Sequence, residues 1–402
     1  MIARISPSHL SGTVTAPPSK SMAHRHLICA ALTEGCSTVH GVADSEDVKA
    51  TVGALRALGC TITVENGVAT VEGISPEHFL ADAELFVNES GSTLRFMIPL
   101  CLLAGKPAIL RGKPRLFERP LSVYEEICRR QGIIWDKADC ELRVCGTLRS
   151  ELYEVPGNIS SQFISGLLFA LPLLPDDSTL RITETTESLP YIEMTLQVLH
   201  EHGIRAEFDG TDTIRIPGKQ RYLPGAYTVE GDYSNAAFFE ALSLLGHDVK
   251  TVGLRKDSLQ GDRIYHEYFP RLDRGFDSLP IGDCPDLAPI LMAIAAERNG
   301  CELTETRRLR IKESNRGAVM AEELAKMGAE VQLLEDSLTV KKCPLHAPTG
   351  PILSHGDHRI VMSMAVLATK YGGEIHHAED VNKSFPDFFR KLISLGAEVE
   401  LI

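Results

Sequence analysis

An α/β fold in two similar domains, each assembled from three repeated modules, follows from three observations on this 402-residue sequence. One order of elements recurs: an amphipathic helical segment runs into a glycine and then into two short β-like stretches. The copies are "TVGALRALGCTITVENGVATVEG", "YEEICRRQGIIWDKADCELRVCG", "LQVLHEHGIRAEFDGTDTIRIPG" and "MAEELAKMGAEVQLLEDSLTVKK", with a truncated one at the end, "FFRKLISLGAEVELI". Each copy follows a second helical segment that is apolar nearly all round, as a buried helix is. Six such modules exceed what one core accommodates, so three per domain is the natural division.

The marker glycines are Gly59, Gly132, Gly203, Gly328 and Gly396. They stand about 70 residues apart except between Gly203 and Gly328, a gap with room for one more copy, placed at "YFPRLDRGFDSLPIG" around Gly275. The buried helices are predicted at "SKSMAHRHLICAAL", "SGSTLRFMIPLCLLAG", "SSQFISGLLFALPLL", "DYSNAAFFEALSLLG", "PDLAPILMAIAA" and "DHRIVMSMAVLATKYGG". Turn chemistry marks two seams, "TAPPSK" at 15–20 and "LPGAYTVEGD" at 223–232. One domain is therefore expected over 17–228, and the other over 1–16 together with 229–402. The chain would cross twice between them, which suits hinge closure over a ligand.

A composition of 44% hydrophobic and 24% charged residues is that of a soluble globular protein. The most apolar runs are too short and too often interrupted to span a bilayer, and the N-terminus lacks the order of a secretion signal, so the cytoplasm is expected. Ten scattered cysteines without a CxxC pair signal neither disulfides nor zinc, and Cys140 and Cys145 read as strand residues. No metal and no cofactor is expected. A net charge of −13 argues against a nucleic-acid surface, so any basic chemistry must be local.

The polar starts of the buried helices concentrate that chemistry: Lys20, Ser21 and Arg25; Ser90, Gly91, Ser92 and Arg95; Ser160, Ser161 and Gln162; Asp286; Asp357, His358 and Arg359. Free backbone N–H groups and the positive end of the helix dipole favour an anion there, and Lys or Arg strengthens the preference. Serine and glycine at a helix start are caps before they are ligands. Repetition at corresponding points of several modules is what points to binding. If the helices of each domain run parallel, their N-termini converge on an electropositive inter-domain cleft. Further cations lie at Arg115 and Arg119 in "RLFERPLS", where Pro120 is placed in a helical first turn. Others are Lys312 and Arg316 around Glu313, and Lys383 before a helix start, while Arg307 and Arg308 read as a solvated face.

These segments resemble the 5-enolpyruvylshikimate-3-phosphate synthase family of enolpyruvyl transferases. "PPSKSMAHR", "SGSTLRF", "RLFERPLS", "GNISSQF", "SLPYIEMTL", "EGDYSNAAFF", "DCPDLAPI", "RIKESNR", "GDHRIVMS" and "NKSFPDFF" carry the likeness in order along nearly the whole chain. The resemblance implies two globular domains of three βαβαββ-like units each, an inside-out α/β barrel architecture. It implies transfer of the enolpyruvyl group of phosphoenolpyruvate to the 5-hydroxyl of shikimate 3-phosphate, in chorismate and aromatic amino acid biosynthesis. Carried over by motif, Ser21, Arg25, Ser160, Ser161, Gln162, Ser188, Asp286 and Lys312 would hold shikimate 3-phosphate. Lys20, Gly91, Arg119, Gln162, Arg316, Arg359 and Lys383 would hold phosphoenolpyruvate. Asp286 is assigned as base to the attacking hydroxyl, Lys20 and Glu313 to proton transfer at the phosphoenolpyruvate end, and His358 to either Glu313 or the phosphate. A monomer binding only small molecules, with no nucleic acid or membrane, is expected.

The sequence departs from the family pattern at "NES", where Asn88 and Glu89 replace the common Gly-Asn, at Leu189, where a basic residue often stands, and at "GDHR" for "NDHR". Two rivals are a UDP-N-acetylglucosamine enolpyruvyl transferase and a non-catalytic paralogue that binds phosphorylated metabolites. The first usually carries a reactive cysteine in the stretch matching "AILRGKPRLFERPLS", which has none here. Retention of Lys20, Asp286 and Glu313 speaks against the second.

Overall fold

Two strands, β1 (Ile2–Ser6) and β2 (Ser11–Thr15), open the computed structural model, which describes Met1–Ile402. The chain then divides into two units, a continuous one of Pro18–Glu230 and a split one of Met1–Pro17 with Gly231–Ile402.

In the continuous unit the first module comprises α1 (Lys20–Ala31), β3 (Gly35–His40), α2 (Glu46–Ala57) and the hairpin β4–β5 (Thr61–Glu65, Val68–Gly73). The second comprises β6 (Ala83–Asn88), α3 (Gly91–Cys101), β7 (Ala108–Gly112), the single turn α4 (Pro114–Phe117), α5 (Ser122–Gln131) and the hairpin β8–β9 (Ile134–Lys137, Glu141–Cys145). The third comprises β10 (Leu152–Pro156), α6 (Ser161–Ala170), β11 (Ser178–Thr183), α7 (Leu189–Glu201) and β12–β13 (Glu207–Phe208, Thr213–Ile216). A late strand, β14 (Ala226–Thr228), pairs parallel with β3 and gives the first module its missing strand. Each sheet then has one plan, a parallel pair continued by an antiparallel hairpin: β14-β3-β5-β4, β6-β7-β9-β8 and β10-β11-β13-β12.

The split unit repeats the plan with one abbreviation. It contains α8 (Tyr233–Leu244), β15 (Asp248–Val252) and α9 (Tyr265–Arg274), then β16 (Asp277–Pro280), α10 (Ala288–Glu297), β17 (Cys301–Thr304), α11 (Arg316–Ala325) and β18–β19 (Val331–Leu333, Ser337–Val340). It ends with β20 (Ile352–Leu353), α12 (His358–Tyr371), β21 (Gly373–His376), α13 (Phe388–Ser394) and β22 (Glu398–Leu401). The truncated final copy is completed by β1, which pairs antiparallel with both β21 and β22. The copy expected around Gly275 is corrected: α9 is its helix, but no hairpin follows. The five marker glycines have φ between +68° and +113°, the left-handed turn that sends the chain back after a helix, whereas Gly275 has φ 172°, extended backbone. The chain therefore runs straight into β16, which pairs parallel with β17 of the next module, and β2 and β15 remain a two-stranded sheet.

Each unit has its own core, one drawn from residues between Met22 and Val229, the other from Ala3–Val14 and Tyr233–Ala397. The helices that are apolar all round lie inside: α10 buries every residue from Ala288 to Ala296. Each large side chain so placed contributes about 1.5–3 kcal/mol. The outer helices are amphipathic, as in α5 and α9, and shield the inner ones from water. No helix is long and apolar enough to cross a membrane.

Candidate active site

In the continuous unit the polar residues sit at helix starts because the following turns are apolar and must enter the core. Lys20 opens α1, and its Nζ donates to Asp47 Oδ2 at 2.7 Å, from the first turn of α2. One turn on, Arg25 is only 3% exposed. Its guanidinium donates to Thr195 Oγ1 (2.9 Å), Ser21 O (2.7 Å) and Tyr191 O (2.8 Å), all neutral oxygens. Burial therefore lowers its pKa to about 10. A buried cation whose partners are dipoles rather than carboxylates is a site prepared for an anion.

At the start of α3, Ser90 Oγ caps Thr93 N, and Gly91 follows. A Cβ at Gly91 would lie 2.7 Å from Arg119 Nη1 and 3.1 Å from Arg95 Nη1, so two guanidiniums crowd this helix N-terminus. Gln162 on α6 joins the group, accepting from Arg95 Nη1 at 2.7 Å and donating to Ser92 Oγ at 3.0 Å. Ser160 caps the same helix, with Ser161 buried beside it. Ser188, fully buried at the start of α7, has φ +60°, an uncommon conformation for serine that marks a constrained position. Glu89, the unexpected carboxylate, forms an ion pair with Lys113 at 3.4 Å. Pro120 is not in a helical first turn: it precedes the cap residue Leu121 of α5, and its carbonyl accepts from Arg95 Nη2 at 3.1 Å.

The split unit gathers Asp286, Lys312, Glu313, Arg316 and Arg359 into one buried network. Asp286, just before α10, accepts from Arg316 Nη1 (2.6 Å), Lys312 Nζ (3.3 Å) and Arg359 Nη2 (2.9 Å). Arg316, 1% exposed, also donates to Asp357 Oδ2 (2.8 Å) and Glu313 Oε2 (2.7 Å). Asp357 caps α12 through Arg359 N (3.0 Å) and accepts from Ser314 Oγ (3.0 Å). Burial would raise the Asp286 carboxyl, but Arg359, Lys312 and Arg316 outweigh it and hold the group well below the usual carboxylate range. Burial lowers Lys312 to about 8 despite the opposing pull of Asp286. Asp286 is thus an ionised acceptor whose basicity depends on how firmly three cations grip it.

Other residues differ from their sequence reading. Arg308 is buried beside Lys312, whose charge it opposes, because the 307–311 segment is a tight 3₁₀ turn that points it inward. Lys383 ends a 3₁₀ helix (Ala378–Lys383) instead of opening a helix, and its Nζ donates to Gly356 O in the loop before α12. His358 Nδ1 lies 3.8 Å from Asp357 Oδ1. Asp47, the partner of Lys20, escaped sequence reasoning; its signal is an acidic residue in a helical first turn, where it also suits the dipole. Elsewhere in this unit Glu322, Glu323 and His355 bring their ligand atoms within 4.8 Å, with Glu323 engaged by Lys326, His355 and the Leu353 amide.

Comparison with known proteins agrees at three levels. The family model described as EPSP synthase (3-phosphoshikimate 1-carboxyvinyltransferase) matches residues 5–273 and 275–392. A 3-phosphoshikimate 1-carboxyvinyltransferase of Clostridium perfringens is 39% identical, over 98% of this chain and 97% of the relative. The solved EPSP synthase of Acinetobacter baumannii superposes with a TM-score of 0.80 at 25% identity, covering both chains in full. The enolpyruvyl transferase NikO of Streptomyces tendae shares the fold at a TM-score of 0.80 and 17% identity, over 99% of this chain and 98% of that one.

Proposed function

Since this chain belongs to the EPSP synthase (3-phosphoshikimate 1-carboxyvinyltransferase) family, we propose that the helix starts and ion network described above carry the family's reaction. The enzyme is a transferase of aromatic amino acid biosynthesis that moves the enolpyruvyl group of phosphoenolpyruvate to shikimate 3-phosphate and releases phosphate. In our reading Ser21, Arg25, Ser160, Ser161, Gln162, Ser188, Asp286 and Lys312 hold shikimate 3-phosphate. Lys20, Gly91, Arg119, Gln162, Arg316, Arg359 and Lys383 hold phosphoenolpyruvate. The enzyme acts as a monomer in the cytoplasm, a reading supported by a full set of these residues within one chain and by ten free cysteines.

The observation that carries the mechanism is the grip of three cations on Asp286. A carboxylate so held is a poor base. When substrate phosphate and carboxylate groups draw Arg359 and Lys312 toward themselves, the basicity of Asp286 rises just as the 5-hydroxyl must lose its proton. The hydroxyl oxygen bonds to C2 of phosphoenolpyruvate while C3 gains a proton, giving a tetrahedral adduct. C3 then gives up a proton and the C2–O bond to phosphate breaks, restoring the double bond. In our reading Lys20, paired with Asp47, and Glu313, paired with Arg316, handle the C3 proton. Purified protein given both substrates should release inorganic phosphate, and Lys20→Met should abolish release while leaving the thermal transition in place. Turnover surviving in Lys20→Met would remove Lys20 from the proton chemistry. Release with UDP-N-acetylglucosamine in place of shikimate 3-phosphate would overturn the acceptor.

A further inference from the structure

Three helix starts of the continuous unit are tied together by a chain of buried hydrogen bonds. Lys20 and His24 lie one turn apart on α1, and Asp47 and Thr51 one turn apart on α2, so these helices meet in two successive rungs. The outer rung is the ion pair of Lys20 Nζ with Asp47 Oδ2 at 2.7 Å. The inner rung is neutral: His24 Nδ1 lies 2.7 Å from Thr51 Oγ1. The chain then passes to α3, where Thr51 Oγ1 lies 2.7 Å from Thr93 Oγ1, which donates to Ser90 Oγ at 2.7 Å. Ser90 Oγ is the cap that accepts from Thr93 N at 3.2 Å. His24, Thr51, Thr93 and Ser90 are all 0% exposed.

Counting protons gives the chain a direction. Thr93 spends its hydroxyl proton on Ser90, with a longer contact of 3.4 Å to the Asp47 carbonyl. Thr51 must therefore donate to Thr93, and the Thr51 oxygen must accept from His24 Nδ1. The other ring nitrogen agrees: His24 Nε2 is buried without a hydrogen-bond partner, which a lone pair tolerates better than an N–H. Burial, then the nearby charges of Lys20 and Arg25, keep the ring neutral. Valine is close to threonine in shape, and apolar side chains would fill this space without the risk of orphaned polar groups. Stability alone does not account for the chain.

We propose that His24, Thr51 and Thr93 are positioning residues: as a one-way chain of hydrogen bonds from α1 through α2 to the Ser90 cap, they hold the Gly91 helix start at a fixed spacing from Lys20. This rests on the reading of Lys20 and Gly91 as phosphoenolpyruvate contacts. The chain has no parallel branch among these side chains, so Thr51 is the link through which α1 sets the place of α3.

Thr51→Val cuts the chain at its centre and should lower kcat/KM for phosphoenolpyruvate about tenfold, well inside the cost of a misplacement of about 1 Å. The KM for shikimate 3-phosphate should hold, because Arg25 is fixed by Thr195 and Tyr191 of α7. Thr51→Ser keeps the hydroxyl and should behave as wild type; a loss equal to that of Thr51→Val would put the effect in the methyl group and overturn the chain. The decisive variant combines His24→Leu with Thr51→Val, removing both members of the inner rung while Thr93 stays bonded to Ser90. It should regain the Tm lost in Thr51→Val but not the kcat/KM, and recovery of both together would reduce the chain to a stabilising device. NMR of the histidine rings in wild-type enzyme decides the matter even if these variants do not fold: His24 must carry its proton on Nδ1, and a proton on Nε2 would reverse the chain and sink the proposal. Turnover surviving in Lys20→Met would overturn the assignment of Lys20, and this proposal with it, whereas an inactive Lys20→Met beside an unaltered Thr51→Val would overturn the chain alone.

Discussion

Arg25 and Arg316 are buried to the same degree, yet they are held in opposite ways. Arg25, in the continuous unit, donates to a threonine hydroxyl and two backbone carbonyls, and burial lowers its pKa. Arg316, in the split unit, faces three carboxylates that overcome the cost of burial and raise it well above the ordinary value. One unit keeps an uncompensated positive charge ready for an anion. The other pairs its cations with carboxylates, so under the function proposed above they exchange partners when substrate arrives. A buried charge with neutral partners costs stability and gains affinity, whereas a buried pair is strongly destabilised only when one member is removed.

The largest effect expected from this contrast comes from paired substitutions. Arg25→Met should lower kcat/KM for shikimate 3-phosphate about a thousandfold, as for loss of a desolvated ion contact, with Tm unchanged or raised. Arg316→Met should instead lower stability by about 3–5 kcal/mol, because Asp286, Glu313 and Asp357 lose their shared cation. Equal Tm losses in the two variants, measured by calorimetry, would erase the distinction.

The next test separates the units by acid. In the continuous unit His26 Nδ1 lies 3.2 Å from His202 Nε2, with His202 stacked on Tyr227 at 3.6 Å. Burial pushes His26 down to about 4 and His202 to about 3, and holds His24 well below the usual imidazole range. These bases are neutral in the fold but bind protons once unfolded, so stability falls as pH drops below 6.5, with the His26 share lost in full below 4. That share is about 3 kcal/mol at pH 4. Asp286 stays ionised over the same range, so the split unit keeps its network. Trp135, the single tryptophan, lies in the continuous unit and reports on it. Its fluorescence should show a lower urea midpoint at pH 4.5 than at pH 7, and His202→Phe should shrink that difference. A midpoint indifferent to pH would sink the account.

How much of this was legible in the sequence depends on distance along the chain. Helix and strand periods are local, so the recurring helix, glycine and hairpin could be read directly, and the left-handed turns at Gly59 and its counterparts explain why glycine marks them. Gly275 deceived because composition does not reveal φ. The closing of the last module by β1 required a pairing across nearly the whole chain, which no local pattern encodes. At the site, Asp286, Lys312, Glu313, Arg316 and Arg359 stood out as helix-start or clustered charges. The partners that set their behaviour, such as Asp357 on Arg316 and Asp47 on Lys20, depend on tertiary packing. Arg308 looked solvated for the same reason: the turn that buries it is visible only in three dimensions.

A smaller effect, still tied to the contrast between units, is a difference in titration. Lys312, lowered to about 8, loses its charge two units before Arg25 at about 10. The value of kcat/KM for shikimate 3-phosphate should be level below pH 8 and fall about tenfold per unit above it. Lys312→Arg should move that limb upward, since arginine keeps its charge there. A limb unmoved in Lys312→Arg would assign the ionisation elsewhere.

The smallest effect comes from comparing two helix starts. In the split unit the cap of α12 is the carboxylate of Asp357, so that N-terminus is already neutralised. In the continuous unit the cap of α3 is the Ser90 hydroxyl, followed by Gly91, and the dipole is left for a ligand. Helix propensity favours alanine over glycine in a helix by up to about 1 kcal/mol, so stability does not account for Gly91. Space does: a Cβ would press on Arg119 Nη1, the flexible end of a side chain that can move aside. Gly91→Ala should therefore fold as well as wild type or better, while the displaced guanidinium raises the KM for phosphoenolpyruvate about fivefold, the lower range of overpacking costs. The KM for shikimate 3-phosphate should hold steady, because Arg25 lies on a different helix and keeps its own partners. If both constants rose together, the crowding at Gly91 would be disturbing the packing of α3 as a whole, and the separate role of this helix start in gripping one substrate would fall.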